Sequence, residues 1–252
     1  GNVKRANVKD DELDFLAVCQ DRIKNGGGKL KVVDVEKKQS EIEVKDILPL
    51  TDVIEGVKKN FPGLVHMRIP ICNSAAPKES DFDLIVETLV GSPINTPVII
   101  SDQVGLSRAT TGCVIACLFR EFQITSSFDG LVHSVPGVNA DILKMDTYEF
   151  DPKKDPLFRG EFDVIKQLTE ELKGADKAKK ECDKIIDKNG PNKTGGTGIK
   201  QLRENIAESK LSYEIMDDSA QVFLKCKIMD NIHKYFYLIV FATYIREAAD
   251  DA

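Results

Sequence analysis

Hydrophobic positions change period along this chain, and each change marks an element. Phe15, Leu16, Cys19 and Ile23 recur at helical spacing and predict a helix from an Asp10 N-cap through Lys24, ended by Asn25-Gly-Gly-Gly28. Leu30 to Val35 and Ile42 to Val44 predict two short strands around a polar turn. Thr51 is placed to cap a helix that buries Val53, Ile54 and Val57 and stops before Pro62-Gly63. Val65, Met67 and Ile69 alternate with His66 and Arg68, a strand pattern that reads His66 as a strand-face residue. Pro77 opens a helix with Phe82, Ile85, Val86 and Leu89 inward and Gly91 at its end.

The centre of the chain repeats that order. Val98, Ile99 and Ile100 have the branching of a fully buried strand running to Ser101. A tight loop spans Asp102 to Ser107, and a helix follows from about Arg108 to Arg120, with Cys113, Ala116, Cys117 and Arg120 on one face. Strand, helix, strand, helix is the order of a right-handed crossover in a parallel sheet. Residues 125–160 are turn-rich, with Val135-Pro-Gly-Val138 and Asp151-Pro-Lys-Lys-Asp-Pro156, and read as surface loop. Helical period resumes at Phe162, Ile165, Leu168 and Leu172, then from Ala175 to Lys188. A glycine-rich linker, Gly190 to Gly198, precedes helices predicted at 199–209, 217–229 and 231–248. Tyr235 to Ile245 is apolar but about half of the ~20 residues that span a bilayer, so it is a core helix. The fold class expected is α/β: a central, mostly parallel sheet flanked by helices, with a largely helical C-terminal half. Residues 1–252 form one domain in this reading, 45–125 its sheet and loop core and 160–250 its helical part.

Composition narrows the function classes. A net charge of −6 argues against nucleic acid and against an electrostatic membrane surface. The six cysteines include no CxxC pair, and with only three histidines no metal-ligand spacing stands out, so no metal and no cofactor are expected. Cys113 and Cys117 share a helix face, a core-packing arrangement. The pattern fits a reduced, cytoplasmic protein. The clustered lysines of 173–180 alternate with acids and read as a solvated helix face. No GxGxxG supports a dinucleotide site, and the 190–198 stretch lacks the GK[ST] of a nucleotide loop. Gly1 reads as a cloning remnant, hence a piece excised from a longer multidomain chain.

Candidate chemistry concentrates at the loop between the central strand and its helix. Backbone N–H groups at a helix N-terminus gather at the positive end of the macrodipole and can hold an anion. Gly105 lets the backbone turn, and Arg108 offers a planar fork of donors. The phosphate-loop candidate is therefore Asp102, Gln103, Val104, Gly105, Leu106, Ser107 and Arg108.

Two stretches carry a resemblance. Ser101-Asp-Gln-Val-Gly-Leu-Ser-Arg-Ala-Thr-Thr111 and Arg68-Ile-Pro-Ile-Cys-Asn-Ser-Ala-Ala-Pro-Lys-Glu-Ser-Asp-Phe-Asp83 resemble the paladin family of cysteine-dependent phosphatases, which is similar to the protein-tyrosine-phosphatase-like phytases. Cys182 to Asp187, Gln201 to Ile206 and Tyr237 to Tyr244 extend it over roughly residues 45–248. The resemblance implies a Cys-x5-Arg phosphate loop, an aspartate general acid on a second loop, and a hydroxyl after the arginine. This sequence departs from all of these at once. Asp102 stands at the nucleophile position, Asn73 at the acid position, and Ala109 follows Arg108. A carboxylate is a poorer nucleophile than a thiolate and places negative charge where phosphate would sit. Asn73 has no proton to give.

Three functions stay open at this point. The first is an inactive, pseudophosphatase domain with a scaffolding, regulatory or weak phosphate-ligand-binding role, toward protein partners or sibling phosphatase-like domains. The second is a residual phosphatase acting on phosphoinositides, inositol phosphates or phosphoproteins. The third is a purely structural repeat of a multidomain protein.

Overall fold

Glycine stops the first helix. The computed structural model describes residues 8–33, 38–71, 75–102, 108–128, 156–188 and 202–250. Contacts divide the chain into two compact units, Gly1–Cys72 and Asn73–Ala252. In the first unit, α1 (Val8–Asn25) starts two residues before Asp10, which therefore lies in its first turn rather than at the cap. Leu16, Cys19 and Ile23 are half-buried, while Phe15 falls off the stripe. Gly27 and Gly28 take φ of 65° and 85°, values that only glycine adopts readily, and the Gly28 N–H donates back to the Ile23 carbonyl at 2.9 Å. The chain thereby reverses into β1 (Lys29–Val33), which pairs antiparallel with β2 (Gln39–Glu43). In this register Leu30 opposes Ile42, and Lys29 and Lys31 oppose Glu43 and Glu41, so apolar and opposite-charge pairs alternate across the ribbon.

α2 (Leu50–Asn60) corrects two expectations. Its N-cap is Pro49, whose carbonyl accepts the N–H groups of Asp52 and Val53, so Thr51 lies inside the helix. None of its residues is buried, and Val53 and Val57 are exposed. Residues 64–71 run as non-helical chain outside any ladder, with His66 exposed. Among the described residues, the sheet is this two-stranded antiparallel ribbon and not a central parallel one.

The second unit is helical in its described residues. α3 (Glu79–Val90) starts where the Asp81 carboxylate accepts the Lys78 N–H at 2.8 Å, and Phe82, Ile85 and Leu89 are buried as the sequence requires. Val86 is only half-buried. α4 (Arg108–Phe128) buries Val114, Ile115, Leu118 and Phe119. Instead of joining the core, Arg120 clasps the turn after α3, donating to Ser92 Oγ at 2.7 Å and the Pro93 carbonyl at 3.3 Å.

Four further helices follow among the described residues: α5 (Asp163–Glu171), α6 (Ala175–Lys188), α7 (Leu202–Tyr213) and α8 (Asp218–Asp250). The two helices predicted at 217–229 and 231–248 are one, because no Gly or Pro interrupts 218–250. Its 33 residues extend about 50 Å, enough to pack on α4, α6 and α7 in turn. Tyr235, Leu238, Ile239 and Ala242 face that core with Ile165, Cys182, Ile185 and Ile206. Phe241 meets Phe82 at 5.1 Å between ring centroids, joining α8 to α3. The turn-rich stretch and the glycine-rich linker lie outside the described residues.

Candidate functional site

Two elements position the described part of the candidate site. The segment Thr96 to Asp102 is extended but outside any ladder, with Ile99 92 % exposed rather than buried. Ile100 meets α4 closely. A Cβ on Gly112 would come 3.2 Å from Ile100 Cγ2, so glycine lets the segment lie against the second turn of the helix. Asp102 then falls beside the helix start, where its Oδ2 accepts the Ala109 N–H at 2.8 Å. A carboxylate seven residues upstream thus acts as an N-terminal acceptor for α4, favourable with the macrodipole as well.

Around this contact the structure places Arg108 as the first helical residue, half-buried, with its Nε lacking a hydrogen-bond partner among the described residues. Thr110 Oγ1 is left the same way. Ala109 is buried. Gln103, Val104, Gly105, Leu106, Ser107 and Asn73 lie outside the described residues. Of the expected site, the structure therefore brings together Asp102, Arg108 and Ala109.

The described thiols lie away from Asp102. Cys113 and Cys117 sit within α4, beyond Arg108. A hydrogen bond with Cys117 draws the Cys113 thiol down from 9.0 to about 7, against the opposing effect of its burial. Cys182 is fully buried and donates to the Leu238 carbonyl at 3.4 Å; burial, and then the neighbouring Asp183, push its thiol well up. Among the described residues no group of three or more His, Cys, Asp or Glu is arranged to hold a metal.

A second cluster has no counterpart in the sequence pattern. Asp183 of α6 accepts the Tyr235 hydroxyl at 2.5 Å and pairs with Lys179 at 2.8 Å and Arg203 at 3.4 Å. Arg203, 4 % exposed, also pairs with Asp187. Lys179 donates further to the Arg159 carbonyl at 2.9 Å. Gly160, at φ 70°, passes so close that a Cβ would lie 2.7 Å from the Tyr235 hydroxyl. Burial and the adjacent Asp183 push the Tyr235 phenol well up, keeping it a donor. One local signal does exist: Asp183 sits next to Cys182 on an inward stripe with Ile185 and Ile186, where a charge needs a partner. Its partners lie up to 52 residues away, which no local pattern reveals.

Comparison with known proteins bears on the family rather than on single residues. The family model of protein-tyrosine-phosphatase-like phytases, described as inositol hexakisphosphate, matches residues 6–120. The chain is 26 % identical to paladin of Xenopus tropicalis over 221 residues, 86 % of this chain and 23 % of that protein. Paladin of Gallus gallus is 26 % identical over 213 residues, 82 % of this chain and 22 % of its own length. For paladin of Homo sapiens the figures are 27 % over 210 residues, 81 % and 22 %. The chain spans less than a quarter of the length of these curated relatives. No solved structure matches. The phytase-like match over residues 6–120 and the paladin matches together support assigning this chain to the paladin family, within the protein-tyrosine-phosphatase-like superfamily.

Proposed function

We propose that this domain is catalytically silent and serves a scaffolding or regulatory role, toward protein partners or sibling phosphatase-like domains, with at most weak binding of phosphorylated ligands. The single observation that supports it is the Ala109 N–H donated to Asp102 Oδ2 at 2.8 Å. In a working phosphate loop such a donor faces the substrate or its nucleophile. Here a fixed carboxylate uses it, and its charge opposes an incoming phosphate. Nucleophile, acid and supporting hydroxyl act as a unit, so their joint loss removes hydrolysis rather than slowing it by parts. A cytoplasmic setting belongs to the same proposal and is supported by the free thiols of Cys19, Cys113, Cys117, Cys182 and Cys226. No helix among the described residues is long and apolar enough to cross a membrane.

Purified protein is expected to leave p-nitrophenyl phosphate and inositol hexakisphosphate unhydrolysed, at the background of an Asp102→Ala control. Phosphate release above that control, lost in Asp102→Ala, would overturn the proposal in favour of a residual phosphatase. Asp102→Cys is expected to recover little, since Asn73 still supplies no proton.

The mostly parallel sheet is part of the proposal as well. Val98 and Ile99 are 46 % and 92 % exposed, and burying such side chains against a neighbouring strand would contribute roughly 1.5–3 kcal/mol each. Amide exchange at Val98, Ile99 and Ile100 is expected to be slowed by about a hundredfold or more relative to free peptide. Exchange at the free-peptide rate would remove the sheet from this reading.

A further inference from the structure

A cavity of about 710 Å3, within the range of small-molecule sites, opens between α5 and α6, with Gly160 and Arg203 completing its wall. Its charged lining is mixed, and what matters is which charges are already satisfied. Glu161 pairs with Arg159 at 2.8 Å, and Glu181 pairs with Arg246. Asp183 is answered by Lys179, Arg203 and Tyr235. Asp176 faces Lys180 at 3.7 Å with both side chains exposed, a pair that holds neither group firmly. Every acid of the lining therefore has a cation. The converse fails: the ammonium groups of Lys166 of α5 and Lys184 of α6 have no hydrogen bond or ion pair among the described residues. Lys180 and Lys184 are one turn apart on the same face of α6, and Lys166 stands on the facing wall.

We propose that this cavity is a binding site for a small molecule carrying a dianionic phosphate group, gripped by Lys166, Lys180 and Lys184. Lysine suits such a ligand, because a compact ammonium with three rotatable donors meets a phosphate oxygen from any side, and its stem covers apolar surface. The floor beneath is rigid, because Arg203 and Lys179 are fixed by Asp183 and Asp187. No lining residue belongs to the 96–109 segment, so the site stands apart from the role of Asp102. The phosphate group could belong to a free metabolite or to a lipid headgroup.

Calorimetric titration of the whole chain with pyrophosphate tests the site. A Lys166→Gln/Lys184→Gln variant is expected to lose about tenfold or more in affinity at an unchanged melting temperature. Sedimentation with phosphatidylcholine vesicles, with and without phosphatidic acid, separates the sources. Lysine-dependent capture by the acidic vesicles assigns a headgroup, and pyrophosphate binding without capture assigns a free ligand. Absence of binding in both arms, equal affinity of the variant, or complete loss on matching ionic strength with sodium chloride would overturn the proposal.

Discussion

Asp183→Ala is expected to destabilise the helical unit by about 3 kcal/mol, a fall in melting temperature of roughly 6–12 °C. The reason is what stays behind. Tyr235 is fully buried and loses the carboxylate that accepts its hydroxyl, and Arg203, 4 % exposed, retains Asp187 alone. Removing one partner of a buried pair leaves the others desolvated and uncompensated, which costs more than the pair contributed net. Asp183→Asn keeps an oxygen for the Tyr235 hydroxyl and is expected to cost less than the alanine. The comparison is Asp176→Ala, which removes an exposed pair with Lys180 at 3.7 Å and is expected to change stability by less than about 1 kcal/mol. Chemical denaturation of the three variants decides the matter. Equal midpoints for Asp183→Ala and Asp176→Ala would mean the cluster is no more than surface electrostatics.

Asp102→Ser is expected to strengthen sulfate or phosphate binding at the start of α4 by about tenfold or more. Two like charges about 4 Å apart repel by ~4 kcal/mol at an effective dielectric of about 20, so the native carboxylate is the main obstacle to an anion there. Serine removes the charge and leaves Arg108 and the helix N–H groups in place. The same carboxylate stabilises the start of α4 by accepting the Ala109 N–H and by facing the positive end of the helix. Asp102→Asn is therefore expected to lower stability by about 0.5–2 kcal/mol, as loss of a cap does, and added phosphate should restore part of it. Melting curves with and without phosphate read both effects. Identical melting of wild type and Asp102→Asn, with no phosphate effect on either, would leave Asp102 a solvent-facing relic.

Both experiments probe places where local sequence and tertiary context divide the work. Helices whose ends are marked by local chemistry were legible. α3 buries Phe82, Ile85 and Leu89 from periodicity and stops at Gly91; α1 stops at glycines whose positive φ forces the reversal. α6 runs from Ala175 to Lys188 as its spacing requires. These features depend on side chains within a turn of one another, and a single sequence contains them. The proposed departures at Asp102 and Ala109 rest on the same kind of signal, since identity at a fixed spacing from Arg108 is a local fact.

Burial was not legible in that way. Val98, Ile99 and Ile100 have strand-like branching, but a strand is stabilised by the partner beside it, and no pattern in the segment names one. α2 carries Val53 and Val57 on an apolar stripe that in this unit stays exposed. The join of the last two predicted helices into α8 followed from the absence of a breaker, and its length became useful only because α4, α6 and α7 all pack against it. The sequence by itself determined which residues stand at the candidate phosphate loop and where several helices begin or end. Only the tertiary structure decided that Asp102 turns its carboxylate onto the Ala109 N–H, that Asp183, Arg203 and Tyr235 meet, and that Lys166 and Lys184 face one cavity without acids to answer them. Helix signals act over a few residues, whereas charge neutralisation and burial are settled by whatever the folded chain brings within a few ångströms.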